Sequence, residues 1–192
     1  MDRGTPFKML HELVLKNRSF RRFHQHEAIT QSQLRDLVSL ARLSASGGNR
    51  QSLKYILSWQ PEKNARIFPA VQWAAYLKGW PGPAEGERPS AYIVLLCDKE
   101  IAVNPGCDHG IAAQSMLLGA AAMGLGGCMI GSVDRPQLRD TLAIPDRYDI
   151  ALVLAIGKPR ETVLIDTVQD GKIEYWRDER SFHHVPKRAL SE

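Results

Sequence analysis

The sequence contains few cysteines, and they do not form a pattern typical of secreted proteins. Its 192 residues include three, Cys97, Cys107 and Cys128. An odd number of cysteines with apolar neighbours argues against a disulfide framework and favours a reducing compartment, so we expect a cytoplasmic protein. Residues 1–20 carry charged side chains throughout, and this pattern predicts that they are not a signal peptide.

Long hydrophobic runs are also absent. The most apolar stretch, residues 110–130, is rich in alanine and glycine, and Gly124 interrupts it. A membrane-spanning helix needs about 20 consecutive apolar residues, so we expect no membrane partner. Cys107 and His109 form a Cys-x-His pair without a second pair of ligands, and we therefore predict no metal site.

The charge balance is only mildly basic. The chain has 25 Lys and Arg against 21 Asp and Glu, a formal net charge of +4. This balance does not require a nucleic-acid partner, and it suits a few cations that hold a small anionic molecule. The length and a hydrophobic content of 44% predict one domain over residues 1–192.

Hydrophobic periodicity predicts helices that alternate with strands. The Thr30 and Gln33 pair forms a capping-box pattern at the start of one helix, and Asp134 precedes another that has Pro136 in its first turn. The predicted helices are 7–16, 31–42, 108–124 and the one after Asp134, and the predicted strands are 53–59, 91–97, 127–131 and 150–156. This order indicates an α+β or α/β sandwich.

Residues 60–90 form a long segment rich in proline and aromatic residues. We predict a helix over 64–78 that is bent or broken near Pro69, followed by a loop over 79–89. A segment of this kind between two strands is either a lid over a site or a disordered insert. Its aromatic side chains, Trp73, Tyr76 and Trp80, favour the lid.

Three short segments carry candidate binding residues. Arg18, Ser19 and Arg21 follow a helix end and resemble a phosphate clamp, although a solvated basic loop is an alternative. Ser46, Asn49 and Gln51 lie in a glycine-bearing turn, which suits a ring edge with N–H and C=O groups or simply ends a helix. Lys187 and Arg188 are either ligands or part of a solvated tail.

The glycine-rich run 124–131 passes from a helix into a strand, whereas dinucleotide-binding loops pass from a strand into a helix. Backbone N–H groups at Ile130 and Gly131 would instead face a flat ring.

In this order, the motifs resemble the nitroreductase family of flavoproteins over nearly the whole chain. The family's Arg-Arg-Ser-x-Arg segment corresponds to 17–23, its Ala-Pro-Ser-x-x-Asn-x-Gln-Pro-Trp turn to 44–53, its Asp-x-Gly-x-x-x-Gln helix to 108–114 before Gly-Leu-Gly, and its Gly-x-Pro to 157–159. The chain departs from the family at Asn17, which replaces an arginine, and at Ser52 and Leu53, which replace Pro-Trp.

The resemblance implies a central, mainly antiparallel sheet flanked by helices, in an intertwined homodimer with FMN at the interface. By this resemblance Arg18, Lys187 and Arg188 hold the phosphate, with Asn17, Ser19 and Arg21 beside it. The partner subunit contributes Ala45, Ser46 and Asn49. Along the ring lie Met129, Ile130 and Gly131.

The resemblance further implies an FMN-dependent enzyme that takes a hydride from NADH or NADPH and reduces a small organic acceptor by a ping-pong mechanism. The acceptor is a nitroaromatic, a quinone or a similar compound. The flavin carries this chemistry, so no side chain is assigned as catalytic. Two alternatives remain open: a specialised flavin enzyme of the same fold, dehalogenase-like or flavin-fragmenting, and a non-catalytic flavin-binding or sensing module.

Overall fold

A computed structural model describes residues 4–191 of the chain. Residues 1–3 and 192, the ends of the predicted domain, lie outside the described residues. The helices are α1 (Thr5–Lys16), α2 (Gln31–Leu43), α3 (Pro61–Ile67), α4 (Asp108–Ala122) and α5 (Arg135–Leu142). The strands are β1 (Leu53–Ser58), β2 (Ala91–Asp98), β3 (Gly126–Ile130), β4 (Tyr148–Gly157), β5 (Val163–Thr167), β6 (Trp176–Arg177) and β7 (His183–Lys187).

The main sheet has four strands in the order β1-β2-β4-β3, and all of its neighbouring strands are antiparallel. Helices cover both of its faces, so the predicted fold class is confirmed. Alternate residues of β2 enter different cores. Ile93 and Leu95 pack against α2 and α4, whereas Tyr92 and Val94 pack on the side of α3 and α5. Because both faces are covered, every residue of β2 is buried.

Two helix starts follow directly from the sequence. The Thr30 side chain accepts a hydrogen bond from the backbone N–H of Gln33, and the Gln33 side chain accepts one from the backbone N–H of Thr30. The side chain of Asp134 accepts a bond from the backbone N–H of Gln137 at the start of α5. Both predicted caps are therefore confirmed.

Helices α4 and α2 pack against each other on the same face of the sheet. Its inner face, which includes Ala113, Met116 and Ala120, is fully buried. A Cβ on Gly119 would clash with Leu40 and Leu37 of α2, so the small residue permits the close approach of the two helices. The outer face retains exposed apolar groups such as Ile111.

Residues 60–90 differ in part from the prediction. The helix begins earlier than predicted, at Pro61, and ends at Ile67, before a short 3-10 turn over Phe68–Ala70. Proline is favoured in the first turn of a helix but disrupts its interior, so the chain places Pro61 at the start and leaves the α-helix just before Pro69. Residues 71–90 form no further helix or strand, and the predicted loop over 79–89 is confirmed.

A second sheet was not predicted. It has three strands in the order β5-β7-β6, with β5 and β7 parallel and β6 and β7 antiparallel. The strands β5 and β7 contain polar residues, β7 also contains a proline, and β6 has only two residues. Apolar and polar side chains therefore alternate little, and the sequence pattern does not predict these strands. Among residues 4–191, no helix is long and apolar enough to cross a bilayer.

Candidate functional site

A cavity of about 290 Å³ lies beside the outer strand of the main sheet, β3, and we call it the cationic cavity. Its lining includes three cations, Arg18, Arg21 and Lys187, and within residues 4–191 no carboxylate lines it. The other lining residues are Asn17, Ser19, Gln114, Leu117, Met129, Tyr175 and Val185. Three positive charges in a lining without a carboxylate suit an anion with several oxygens, such as a phosphate.

The segment that contains Arg18 and Arg21 runs along the open edge of β3. Ser19 forms a parallel bridge with Gly127, and the N–H of Phe20 donates to the carbonyl of Gly127 at 3.0 Å. A Cβ at Gly126 would clash with the Phe20 ring, so glycine is needed for this contact. The segment therefore covers an edge strand and is held in register with the sheet.

Arg18 is held at the end of α1. Its Nε donates to the carbonyl of Asn17 at 2.6 Å and its Nη2 to that of Val14 at 2.7 Å. These carbonyls lack helical partners, and a cation near a helix C-terminus is electrostatically favoured. Partial burial lowers the pKa of Arg18, because the charged form loses hydration.

Glu161 fixes the backbone at Arg21. Its Oε1 accepts hydrogen bonds from the backbone N–H groups of Arg21 and Arg22, and its Oε2 pairs with Arg177 at 2.9 Å. The carboxylate is almost entirely buried, its side chain being 1% exposed. It does not line the cationic cavity, and it positions Arg21 through a bond to its backbone N–H.

The side chain of Arg21 lies between two rings. Its Nη1 lies 3.0 Å from Nε2 of the fully buried His183, and its guanidinium carbon lies 4.6 Å from the centre of the Tyr175 ring. Arginine only donates hydrogen bonds, so Nε2 accepts and the imidazole proton is on Nδ1. Burial and the neighbouring arginines lower the pKa of His183 to about 4. The histidine is therefore neutral at pH 7 and adds no charge to the cavity.

Of the residues predicted along the ring, one lines the cationic cavity. Met129 lines it and is 37% exposed, while Ile130 is buried in the opposite core and Gly131 is exposed at the end of β3. Successive strand residues point to opposite faces, which separates Met129 from Ile130. The Cα of Gly131 has open space beside it, since a Cβ at this position would meet no atom within 4 Å.

The predicted turn residues Ala45, Ser46 and Asn49 lie elsewhere in the same chain. They belong to the turn before β1, which contacts the beginning of α4. The hydroxyl of Ser46 donates to the buried Asp108 at 2.7 Å, and the N–H of Gly47 donates to the same carboxylate at 2.9 Å. Asn49 has a φ of 53°, in the left-handed region that asparagine tolerates. None of the three lines the cationic cavity. A different face of α4 carries Gln114, which lines it and accepts from Asn17 at 3.4 Å.

Of the two C-terminal cations, one lines the cationic cavity. Lys187 ends β7 and lines the cationic cavity, whereas the exposed Arg188 follows it outside the lining. Within one chain the cavity thus collects Asn17, Ser19 and Met129 of the predicted set together with its three cations.

Several residues of the site were not predicted from the sequence as ligands. Tyr175, Val185 and Leu117 line the cationic cavity, and Glu161 and His183 support Arg21. Gln114 was noticed only as part of a motif. Tyr175 and His183 lie near the chain end, in segments to which the sequence patterns assign no role. Glu161 stands alone between a loop and a strand, and no local pattern marks it.

Comparison with known proteins shows a resemblance to one family and a shared fold. The family model described as nitroreductase family matches residues 96–158. A relative in Vibrio harveyi, an NADPH-flavin oxidoreductase, is 24% identical over 165 residues, or 77% of this chain. The chain spans 65% of the length of that relative.

Solved structures with the same fold include a nitroreductase family protein from Streptococcus pneumoniae TIGR4, with a TM-score of 0.68 and 16% identity, covering 83% of this chain and 94% of the other. The NADPH:FMN oxidoreductase from Vibrio harveyi complexed with NAD+ aligns with a TM-score of 0.61 and 24% identity, covering 80% and 70%. These matches confirm the resemblance to the nitroreductase family and the predicted fold.

Proposed function

We propose that the protein is an FMN-dependent oxidoreductase that takes a hydride from NADH or NADPH and reduces a small organic acceptor by a ping-pong mechanism. The acceptor class is a nitroaromatic, a quinone or a similar compound. The observation that carries this proposal is the cationic cavity, which has three cations and no carboxylate among its described lining residues. A relative that is an NADPH-flavin oxidoreductase supports it.

The donor set fits a flavin phosphate. Arg18, Arg21 and Lys187 supply charge, and the Ser19 hydroxyl and the Asn17 amide add neutral hydrogen-bonding groups. Arg188, one residue beyond Lys187, is proposed to approach the same group. Met129, with the exposed backbone around Gly131 and the neighbouring Ile130, is proposed to lie along the ring. Bound FMN would supply the hydride chemistry, while these residues bind and orient it.

A homodimer is part of the same proposal. Helix α1 has no buried residue, although Phe7, Leu10 and Val14 form an apolar stripe on one side of it. These side chains are 48%, 50% and 41% exposed, which is unfavourable unless another surface covers them.

The cavity itself also supports a second subunit. Its volume of about 290 Å³ is at the lower limit for ligand pockets, so we propose that it is completed by a partner. Ala45, Ser46 and Asn49 of the partner are the proposed contribution.

Residues 60–90 are proposed to act as a lid within a single domain spanning 1–192. Trp80 stacks under the guanidinium of Arg177 at 4.2 Å, and the Tyr76 ring lies 4.9 Å from the Tyr175 ring. Because Tyr175 lines the cationic cavity, the aromatic segment reaches the edge of the proposed flavin site.

The test is the absorption spectrum of the purified, FMN-reconstituted protein before and after anaerobic addition of NADH or NADPH. We expect a flavin spectrum that the nucleotide bleaches, and parallel double-reciprocal plots when donor and acceptor are varied. Bound flavin that neither nucleotide reduces would favour the flavin-binding or sensing module. If excess FMN does not bind at all, the site assignment is wrong.

A specialised enzyme of the same fold is the second candidate, and the contact between Tyr76 and Tyr175 favours it because it gives the cavity a dedicated aromatic border. Its test compares Trp80→Ala with the wild type. Loss of activity on one acceptor, with generic quinone reduction retained, would indicate a specialised substrate. An equal loss on every acceptor would count against it.

A further inference from the structure

A second cavity, of about 530 Å³, lies on the other face of the main sheet, and we call it the Tyr92 cavity. It opens between α3, the end of β1 and the loops 25–28 and 85–90. It shares no lining residue with the cationic cavity. Its volume is within the range of small-molecule sites.

The walls of the Tyr92 cavity are held together by buried hydrogen bonds. The amide oxygen of Asn64 accepts from the hydroxyl of Ser58 at 2.7 Å, and its amide nitrogen donates to the carbonyl of Ser90 at 2.7 Å. All three of these residues are buried. Helix α3 and two strand ends are thereby fixed to each other, so the cavity is a built feature of the fold.

The loop on the other side is fixed in the same way. The side-chain oxygen of Gln25 accepts from the backbone N–H of Gly86 at 2.7 Å and of Arg88 at 3.2 Å. Its amide nitrogen donates to Glu85 at 2.7 Å. These contacts orient Arg88, whose guanidinium carbon lies 4.2 Å from the centre of the Phe68 ring.

Two polar atoms at this cavity have no hydrogen-bond partner among the described residues. They are the hydroxyl of Tyr92, a residue that is only 1% exposed, and Nε of Arg88. Burial raises the pKa of Tyr92 although the charge of Arg88 opposes this effect, so the hydroxyl keeps its proton. Both atoms are therefore donors, and buried donors without an acceptor are unfavourable.

The charges around the cavity select the type of acceptor. Glu62, Glu85 and Arg88 line it, and Arg88 pairs with Glu85 at 2.8 Å. Two carboxylates and one guanidinium leave an excess of negative charge at neutral pH, which disfavours a carboxylate ligand. Aromatic rings of Trp59 and Phe68 line the same space and favour a planar apolar body.

We propose that the Tyr92 cavity binds a small neutral aromatic compound through a carbonyl oxygen that accepts from the Tyr92 hydroxyl and from Nε of Arg88. This site is separate from the proposed flavin site and does not depend on it.

The test uses benzamide as a neutral aromatic carbonyl compound, titrated into FMN-free and FMN-saturated protein by calorimetry and ligand-observed NMR. We expect saturable binding with a dissociation constant on the order of 1 mM and equal affinity in both forms. Benzoate, which has the same shape and a charge, should bind at least about tenfold more weakly.

Two variants test the contacts. Tyr92→Phe removes only the hydroxyl and should weaken benzamide binding about tenfold, while Tyr148→Phe serves as the matched control and should leave it unchanged. Arg88→Lys keeps the charge, removes Nε from its position and should weaken binding as well, which provides an independent result if Tyr92→Phe folds poorly.

The proposal is overturned if benzamide does not saturate, if Tyr92→Phe and Arg88→Lys bind it as the wild type does, or if FMN displaces it. Displacement by FMN would assign the binding to the cationic cavity. Because FMN binding is measured in the same samples, a failure of this proposal is distinguishable from a failure of the proposed flavin site.

Discussion

The guanidinium of Arg21 lies on the ring of Tyr175, with 4.6 Å between the guanidinium carbon and the ring centre. The two residues come from opposite ends of the chain, and both line the cationic cavity. The tyrosine ring also lies next to the ring of His183, with 5.2 Å between the two ring centres. Tyr175 therefore holds the arginine in place and leaves its positive charge available. An acidic partner would neutralise that charge.

Replacement of Tyr175 by Leu should weaken FMN binding. The variant loses the cation–π contact that orients Arg21, which is worth about 0.5–2 kcal/mol, so the dissociation constant should rise about 2- to 30-fold. Quenching of flavin fluorescence in a titration gives this value. Tyr175→Phe keeps the ring and should remain within about twofold of the wild type. Equal affinities for Leu and Phe variants would show that the ring contact does not position the arginine.

Acid should destabilise the fold through His183. Burial, followed by the charges of Arg21 and Arg177, lowers its pKa from 6.5 to about 4. The unfolded chain therefore binds a proton between these values that the folded chain does not. The stabilisation is complete above pH 6.5 and is lost as the pH falls toward 4.

The melting temperature of wild type and His183→Gln, measured across this window, tests the assignment. The variant should be less stable at pH 7 and should show a shallower decline on acidification, because it lacks the titrating ring. Parallel curves for the two proteins would be inconsistent with this role for His183.

Removal of the charge at Lys187 should affect the phosphate selectively. Lys187→Gln is expected to weaken FMN binding about 10- to 150-fold, with little change for riboflavin, which has no phosphate, because a charge-assisted hydrogen bond is worth about 1.5–3 kcal/mol. Lys172→Gln, an exposed lysine outside the cationic cavity, is the charge-matched control. Equal losses for FMN and riboflavin would contradict the assignment of Lys187 to the phosphate.

Gly127→Ala should destabilise the sheet edge. A Cβ at this position would lie 2.7 Å from the backbone oxygen of Ala155 and 2.7 Å from Leu117, and neither can move without disturbing the sheet or α4. Overpacking of this kind costs about 1–3 kcal/mol. Urea unfolding measures the loss, and Gly110→Ala, which meets no atom within 4 Å in helix α4, should show none. A wild-type midpoint for Gly127→Ala would be the contrary result.

Leu10→Glu should weaken self-association. This side chain is 50% exposed in the middle of the apolar stripe on α1, and a carboxylate cannot be buried there without a partner. Sedimentation equilibrium should show a dimer for the wild type and a shift toward monomer for the variant. Lys8→Gln makes the same change of one charge unit on another side of α1 and should remain dimeric. A dimer that tolerates Leu10→Glu would exclude the α1 stripe from the interface.

Much of the main sheet and of the helices packed on it was predictable from local patterns. The Thr30 and Gln33 cap forms as predicted because both groups lie within one turn of helix, so no other part of the chain is needed to satisfy them. Strand β2 was visible as an apolar run because both of its faces are covered. The helix over 64–78 was placed too far along the chain, because the pattern did not weigh Pro61 as a helix start.

For the cationic cavity, local patterns identify the chemical types: two arginines after a helix and a lysine near the chain end, each recognised from its own neighbours. The packing of the fold brings Arg18, Arg21 and Lys187 into one cavity, because β7 places the chain end beside the edge of β3. The same packing gives Glu161 its role, since its carboxylate accepts from two backbone N–H groups about 140 positions earlier in the chain. Hydrogen bonds between distant segments depend on how the helices and sheets pack, and local periodicity contains no information about that packing.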